Sequence, residues 1–389
     1  MEAYIIKCYR TAVGKAPRGS FRFTRPEDLA VALIRHIMSE VPEIDPEEVD
    51  DVLVGCANPL AEQGLQIGRR ISLTALGEKV PGVTVNRYCG SGLETIAMAT
   101  AKIRAGMGHI FLAGGVESMS LIPLMGVKLA PHYDVVKNTP DHLVSMGLTA
   151  EAVARKYDIS REDQDAFAYR SHQNAGHAID EGYFRSQILP IDVQQIYVKD
   201  NERKERTYTV DTDEGVRRDT SMEALSRLRP VFTRGGSVTA GNSSQTSDGA
   251  AFTLIVSEEV VNRFGLKPLA RLVSCASAGV DPLYMGIGPI AAVPRALKQA
   301  GMNLDQIDLI ELNEAFATQS LAVTRELGLD MDKLNVNGGA IALGHPLGCT
   351  GTKLTTQIIH ELDRRQKKYG LVTACIGGGQ GIAGIIERL

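Results

Sequence analysis

Two cysteines and a histidine stand where a chain of alternating strand and helix signals turns, each close to glycine. Cys89 follows the apolar run Val83–Asn86 (VTVN) and opens Leu93–Ala105, which reads as a helix. A thiol there lies near unpaired N–H groups and the positive end of the helix dipole, which predicts a lowered thiol pKa. Gly90 and Gly92 let the backbone approach a ligand closely. His345 lies between Gly344 and Pro346 in GGAIALGHPLGCTG, on a tight loop rather than an apolar helix face. Cys375 ends the strand-like run Leu371–Cys375 just before Gly377, Gly378 and Gly379. Asn313 follows the strand-like Gln306–Leu312 (QIDLIEL), where it could orient water or substrate. Read singly, these are a packed thiol, a loop histidine bonding backbone and a commonplace turn asparagine. Together they suit covalent acyl transfer by a thiolate nucleophile, a base that activates it and a second acid/base.

A small-polar loop, Thr239–Ala251 (TAGNSSQTSDGAA), could cradle a ligand through backbone N–H groups. It lacks the lysine of a phosphate-binding P-loop and the spacing of a dinucleotide fingerprint. His36, His109, His132, His142, His172 and His177 show no metal-ligand spacing. The six cysteines form no C-x-x-C pair, so they read as free thiols in a reducing, cytoplasmic setting.

The elements that must position these residues follow one order twice. In the first 117 or so residues a helix over Arg25–Val41 precedes strands at Val49–Gly55, Val83–Asn86 and Ile110–Ala113, the last ending at Gly114-Gly115. In the last 120, a helix at Val293–Ala300 precedes a strand at Gln306–Leu312. A Gly-rich turn region at Asn335–Gly348, a helix at Thr352–Leu362 and the Cys375 strand follow. VDDVLVGCANP matches QIDLIELNEAF, and IFLAGG matches TACIGGG, each pair about 260 residues apart. This predicts a duplicated α/β unit with two sets of strand ends around one crevice. Residues 118–246 are more charged, with long irregular stretches at Lys128–Asp141 and Lys199–Arg218, and a helix capped at Ser160. They read as a lid or substrate-binding insertion. With 389 residues, 44% hydrophobic, and a net charge of −4, the chain can bury ample core and carries no basic excess for nucleic acid. No apolar stretch is long enough to span a membrane.

The chain closely resembles the thiolase family from Arg10-Thr11 to its C-terminus. The motifs are NRYCGSGLETIAMA around Cys89, AGGVESMS at Ala113–Ser120, VTAGNSSQTSDGAA at Val238–Ala251, ELNEAFA at Glu311, GGAIALGHPLGCTG around His345 and CIGGGQG at Cys375. The resemblance implies a duplicated five-layered αβαβα core with mixed five-stranded sheets and an inserted loop domain. The N-terminal domain would comprise 1–117 plus 247–267, the loop domain 118–246 and the C-terminal domain 268–389. It implies that Cys89 carries the acyl group and that His345 activates Cys89 and then the coenzyme A thiol. Cys375 would protonate the departing acetyl-CoA carbanion. One oxyanion hole would combine His345 with a water held by Asn313; the other would use the N–H groups of Cys89 and Gly377. Coenzyme A, a co-substrate rather than a resident cofactor, would meet Ser244, Arg217, Met146, Phe232, Met285 and Phe316. Members are homodimers or homotetramers.

GHPLGCTG, and Ser145 where biosynthetic acetoacetyl-CoA thiolases commonly carry His, resemble the degradative 3-oxoacyl-CoA enzymes; CGSGL at Cys89 is common in acetoacetyl-CoA enzymes. The balance favours the degradative type, with an acetoacetyl-CoA thiolase as the alternative. A β-ketoacyl synthase would replace the paired cysteines with Cys-His-His or Cys-His-Asn. A non-catalytic lipid-binding relative should have lost a catalytic residue.

Overall fold

The computed structural model describes residues 1–124 and 126–389. The first half runs β1 (Ala3–Arg10), β2 (Gly14–Lys15), α1 (Pro26–Ser39), β3 (Asp51–Gly55), α2 (Ile67–Leu76), β4 (Gly82–Val85), α3 (Ser91–Arg104) and β5 (Ile110–Ser118). Next come α4 (Tyr133–Asn138), α5 (Met146–Lys156), α6 (Arg161–Asp180), the hairpin β6 (Ile191–Lys199) and β7 (Glu202–Val210), and α7 (Met222–Ser226). Then β8 (Ser247–Ser257) and α8 (Glu258–Phe264) lead to the second half. That half holds β9 (Ala270–Gly279), α9 (Gly288–Ala300), β10 (Leu309–Leu312), α10 (Ala317–Leu327), α11 (Ala340–Leu343), α12 (Thr350–Arg364), β11 (Tyr369–Ile376) and β12 (Gln380–Arg388).

The duplication is visible in strand order. The first half pairs β4-β3-β5-β8-β1 and the second β10-β11-β12-β9, with β8 and β12 antiparallel to their neighbours. The two runs join through one residue pair, Ile5 with Ala270, into a single ten-stranded sheet. The second half departs from the expected five strands. Leu334 makes only an isolated parallel bridge to Ile310, where the first half places β4 against β3. The reason is Asn335, whose backbone turns at φ 45°. Its side chain accepts from the Leu312 N–H and donates to the Leu312 carbonyl, both at 2.9 Å, in place of a strand partner.

Helices α3 and α12 lie between the half-sheets and share one apolar core with both, from Leu93, Ile96 and Ile103 to Leu354, Ile358 and Leu362. Helices α1 and α2 cover the outer face of the first half, and α9 and α10 that of the second. The buried helices meet at glycines. A Cβ on Gly92 would fall 2.7 Å from the Thr352 nitrogen, and one on Gly351 would fall 2.2 Å from the Leu93 nitrogen. This close approach draws the start of α3, next to Cys89, against the start of α12, next to His345. Gly351→Ala is therefore expected to lower stability by about 1–3 kcal/mol, checked by urea unfolding.

Two local expectations are corrected. Strand β5 does not end at Gly114-Gly115 but continues to Ser118. Those glycines admit neighbouring backbone: a Cβ on Gly114 would meet the Ala251 carbonyl at 2.2 Å, and one on Gly115 the Gly348 carbonyl at 2.0 Å. Half of Lys199–Arg218 is not irregular, because it carries β7 after a two-residue turn, Asp200-Asn201, with φ of 53° and 62°. The signal was the alternation of Ile191, Val193 and Gln195, which are buried, with exposed Asp192 and Gln194. Helix α6 starts as expected, with the Ser160 hydroxyl accepting from the Asp163 N–H at 3.0 Å.

Candidate active site

Cys89 sits in a single 3-10 turn, Tyr88–Gly90, between β4 and α3. Tyr88 holds φ at 42°, a strained elbow for a bulky residue. Ser91 locks it: its hydroxyl donates to the Tyr88 carbonyl at 2.7 Å and accepts from the Arg87 N–H at 2.8 Å. The Cys89 thiol, half-buried, faces the backbone N–H of Gly377 and its own N–H. The expected lowering of its pKa is not found. Burial outweighs both N–H groups and, helped by Glu117, pushes the thiol up to about 11.

Cys375 is buried at the end of β11 and close enough to Cys89 for the two to repel as thiolates. Burial first, then Cys89, holds it well above the ordinary thiol range. Around it pack Ala150, Val238, Met285, Ala315, Phe316 and Met146. Phe232 joins them edge-on to Phe316, ring centres 6.0 Å apart. Four of the six expected coenzyme A contacts thus line one apolar wall. Ser244 lies on the loop beside it, its N–H donating to the Ala315 carbonyl at 2.9 Å. Arg217 stands apart on the surface, its N–H donating to His172 Nδ1 at 3.2 Å.

His345 is buried, and its protonation is dictated by a residue that sequence reasoning passed over. The Thr350 hydroxyl donates its one proton to the Pro346 carbonyl at 2.9 Å. It can therefore only accept from His345 Nδ1, 2.6 Å away, so Nδ1 carries the hydrogen and Nε2 the lone pair. Asn313 Nδ2 lies 3.3 Å from Nε2 and donates to it. The other amide atom, Oδ1, is buried without a protein partner among the described residues. Burial first, then Lys353, drives the His345 pKa down to about 3, so the imidazole is neutral at physiological pH. Asn313 in turn is fixed to the Cys375 strand by its N–H, which donates to the Thr373 carbonyl at 2.9 Å.

Glu117, within a quoted motif but given no role, is the second residue missed. It is buried and accepts from the N–H groups of Ala57 and Gly348, each at 2.8 Å, and from Gln63 Nε2 at 2.7 Å. It thereby ties the His345 loop to the first half. Its signal was a carboxylate at the end of a wholly apolar strand. Cys349 is packed in the interior.

An acid-capable thiol, a second thiol against two N–H donors, and a neutral imidazole whose Nε2 accepts from Asn313 are thus gathered where β4, β10 and β11 end. The thiolase N-terminal domain family model matches residues 3–259, and the thiolase C-terminal domain model matches residues 266–388. The chain belongs to the thiolase family. It is 51% identical over 388 residues to the 3-ketoacyl-CoA thiolase of Bacillus subtilis (strain 168), covering 99% of each chain. It is 46% identical over 391 residues to the 3-ketoacyl-CoA thiolase of Idiomarina loihiensis, again with 99% of each covered. The crystal structure of the Bacillus anthracis acetyl-CoA acetyltransferase superposes with a TM-score of 0.89 at 40% identity, over 100% of this chain and 99% of that one. The paired thiols and the neutral imidazole are therefore features of a thiolase fold.

Proposed function

We propose that this thiolase cleaves 3-oxoacyl-CoA with coenzyme A, giving acetyl-CoA and an acyl-CoA two carbons shorter, as a step of fatty acid β-oxidation in the cytoplasm. Cys89 Sγ attacks the 3-oxo carbon as its proton passes to His345 Nε2. The new N–H and the group held by Asn313 then face the oxyanion. The C2–C3 bond breaks, its electron pair forms the acetyl-CoA enolate, and the Cys375 thiol protonates C2. The proton on His345 returns to the Cys375 thiolate. In the second half, His345 takes the proton of the coenzyme A thiol, the sulfur attacks the Cys89 thioester, and the departing Cys89 thiolate takes that proton back. The Cys89 and Gly377 N–H groups stabilise charge on the thioester oxygen.

The observation that carries this reading is the placement of two neighbouring thiols beside a buried imidazole: Cys89 is half-exposed at the start of α3, and Cys375 is buried beside it at the end of β11. The apolar wall of Met146, Met285, Phe232 and Phe316 supports a tunnel for pantetheine and acyl chain, with Ser244 on its loop and Arg217 toward the adenine. Residues 118–246 serve as the coenzyme A-facing insertion between domains 1–117 plus 247–267 and 268–389. Strand β4, half-buried at the edge of the sheet, supports pairing with a second copy in a homodimer or homotetramer. No helix among the described residues is long and apolar enough to cross a membrane.

Asn313→Ala is expected to lower kcat about 10²–10³-fold with little change in KM, the cost of one oxyanion donor; steady-state thiolysis reads it directly. Substrates longer than four carbons should be cleaved well. Ser145 is exposed at the head of α5 and leaves the wall beside Met146 unobstructed. Each further buried CH₂ adds about 0.8 kcal/mol, or roughly fourfold. The comparison is kcat/KM for acetoacetyl-CoA against 3-oxohexanoyl- and 3-oxooctanoyl-CoA. Activity confined to the four-carbon substrate would instead make this an acetoacetyl-CoA thiolase.

A further inference from the structure

Lys353 is among the largest fully buried side chains, and the steps above give it no part. Its Nζ meets no hydrogen-bond partner among the described residues, and neither does Oε2 of buried Glu311. An ammonium so far from water needs a counter-charge close by. The other carboxylates of this region are committed. Asp213 gives both oxygens to Arg10, at 2.8 and 2.9 Å. Glu314 accepts from Ser171 at 2.6 Å and from Asn335 at 2.8 Å. Glu361 accepts from Arg364 at 2.7 and 2.9 Å and is held by Arg365 as well. Glu311 remains to face Lys353 where α12 packs on β10. Burial, then Arg10, drives the Lys353 pKa down, and burial drives that of Glu311 up; the opposite charge of each partner opposes both shifts.

The two charges stand behind the two residues that hold His345. On α12, Lys353 lies three residues beyond Thr350, which accepts from Nδ1, a rise of about 4.5 Å along the axis. On the β10 strand line, Glu311 precedes Asn313 by two and so shares its side; Asn313 donates to Nε2. After burial, Lys353 is the influence that opposes a proton on His345. Nearby Cys89, Cys349 and Cys375 keep their protons, and Glu117 is tied to the Gly348 N–H.

We propose that Lys353, counter-charged by Glu311, is a positioning residue that acts through His345: its buried ammonium opposes charge on the imidazole, so that a proton taken from a thiol is passed on rather than kept. The benefit to turnover rests on the acyl-transfer reading above. Without the ammonium, the imidazolium form is no longer opposed, so His345 protonates at higher pH. The acidic limb of activity, where the base is lost to protonation, then moves up. Neither side chain belongs to the apolar wall, so KM should stay near the wild-type value.

The test follows His345 itself, by long-range nitrogen NMR spectra of isotope-labelled histidine, its signal assigned by its loss in His345→Ala. In Lys353→Met the imidazole is expected to titrate about one pH unit or more above wild type, and the acidic limb of kcat to rise with it. Lys353→Arg keeps the cation and should titrate as wild type. Lys353→Met combined with Glu311→Gln leaves no lone carboxylate buried, which guards the fold, and should shift in the same direction. An unmoved titration in both Met variants overturns the proposal. Lys353→Arg titrating with Lys353→Met also overturns it, because packing rather than charge would then be the cause. A shifted titration in a protein whose wild type performs no thiolysis keeps the action of Lys353 on His345 and overturns the reaction instead.

Discussion

Cys89→Ala is expected to abolish thiolysis, by roughly 10⁴-fold or more, and in the wild type an acyl-CoA should leave its acyl group on Cys89. The structure offers several thiols, so the expectation is selective. Cys8, Cys56, Cys349 and Cys375 are all buried; of the two half-exposed thiols, Cys275 lies within β9 and Cys89 on its strained elbow. It is also the thiol that faces the Gly377 N–H. With its pKa raised to about 11, Cys89 is a thiol at neutral pH and becomes a nucleophile only as its proton leaves. Because His345 is neutral, with its lone pair at Nε2, it can receive that proton. Peptide mass spectrometry after incubation with acyl-CoA checks the site, and initial-velocity patterns check the ping-pong order. An acyl adduct on Cys375 or Cys349 would reverse the assignment.

The second large effect separates the two half-reactions. Cys375→Ala is expected to lose carbon–carbon cleavage by about 10²–10⁴-fold yet still exchange labelled coenzyme A into acyl-CoA. Exchange needs only Cys89 and His345, whereas cleavage also needs a proton for the enolate. Burial and the neighbouring Cys89 raise the Cys375 pKa, so the group keeps its proton as pH rises through the ordinary thiol range. The alkaline limb of the cleavage profile set by Cys375 should therefore lie above that range. His345→Ala should lose both exchange and cleavage. Near wild-type cleavage by Cys375→Ala would remove its acid role, and exchange by His345→Ala would remove the shared base.

Much of this was legible in residue order because it depends on local rules. The strand-to-helix passage at Cys89, the glycines around His345 and the end of the Cys375 strand follow from apolar runs broken by turn residues. The repeated order of strands was visible for the same reason. Where the reading failed, a distant neighbour decided. Gly114 and Gly115 looked like a strand end, yet they give way to the Ala251 and Gly348 carbonyls, from segments far along the chain. The second half lost its fifth strand to the side chain of Asn335.

The sequence by itself determined which residues could do acyl-transfer chemistry, the duplicated unit that carries them and the family to which they belong. Tertiary structure alone decided their electrostatic state. The start of a helix favours a thiolate, but burial of Cys89 beside Glu117 costs more, and the thiol pKa rises instead. The His345 tautomer depends on where Thr350 sends its single proton. Desolvation and charge depend on which atoms surround a group in space, and most of those atoms come from distant parts of the chain.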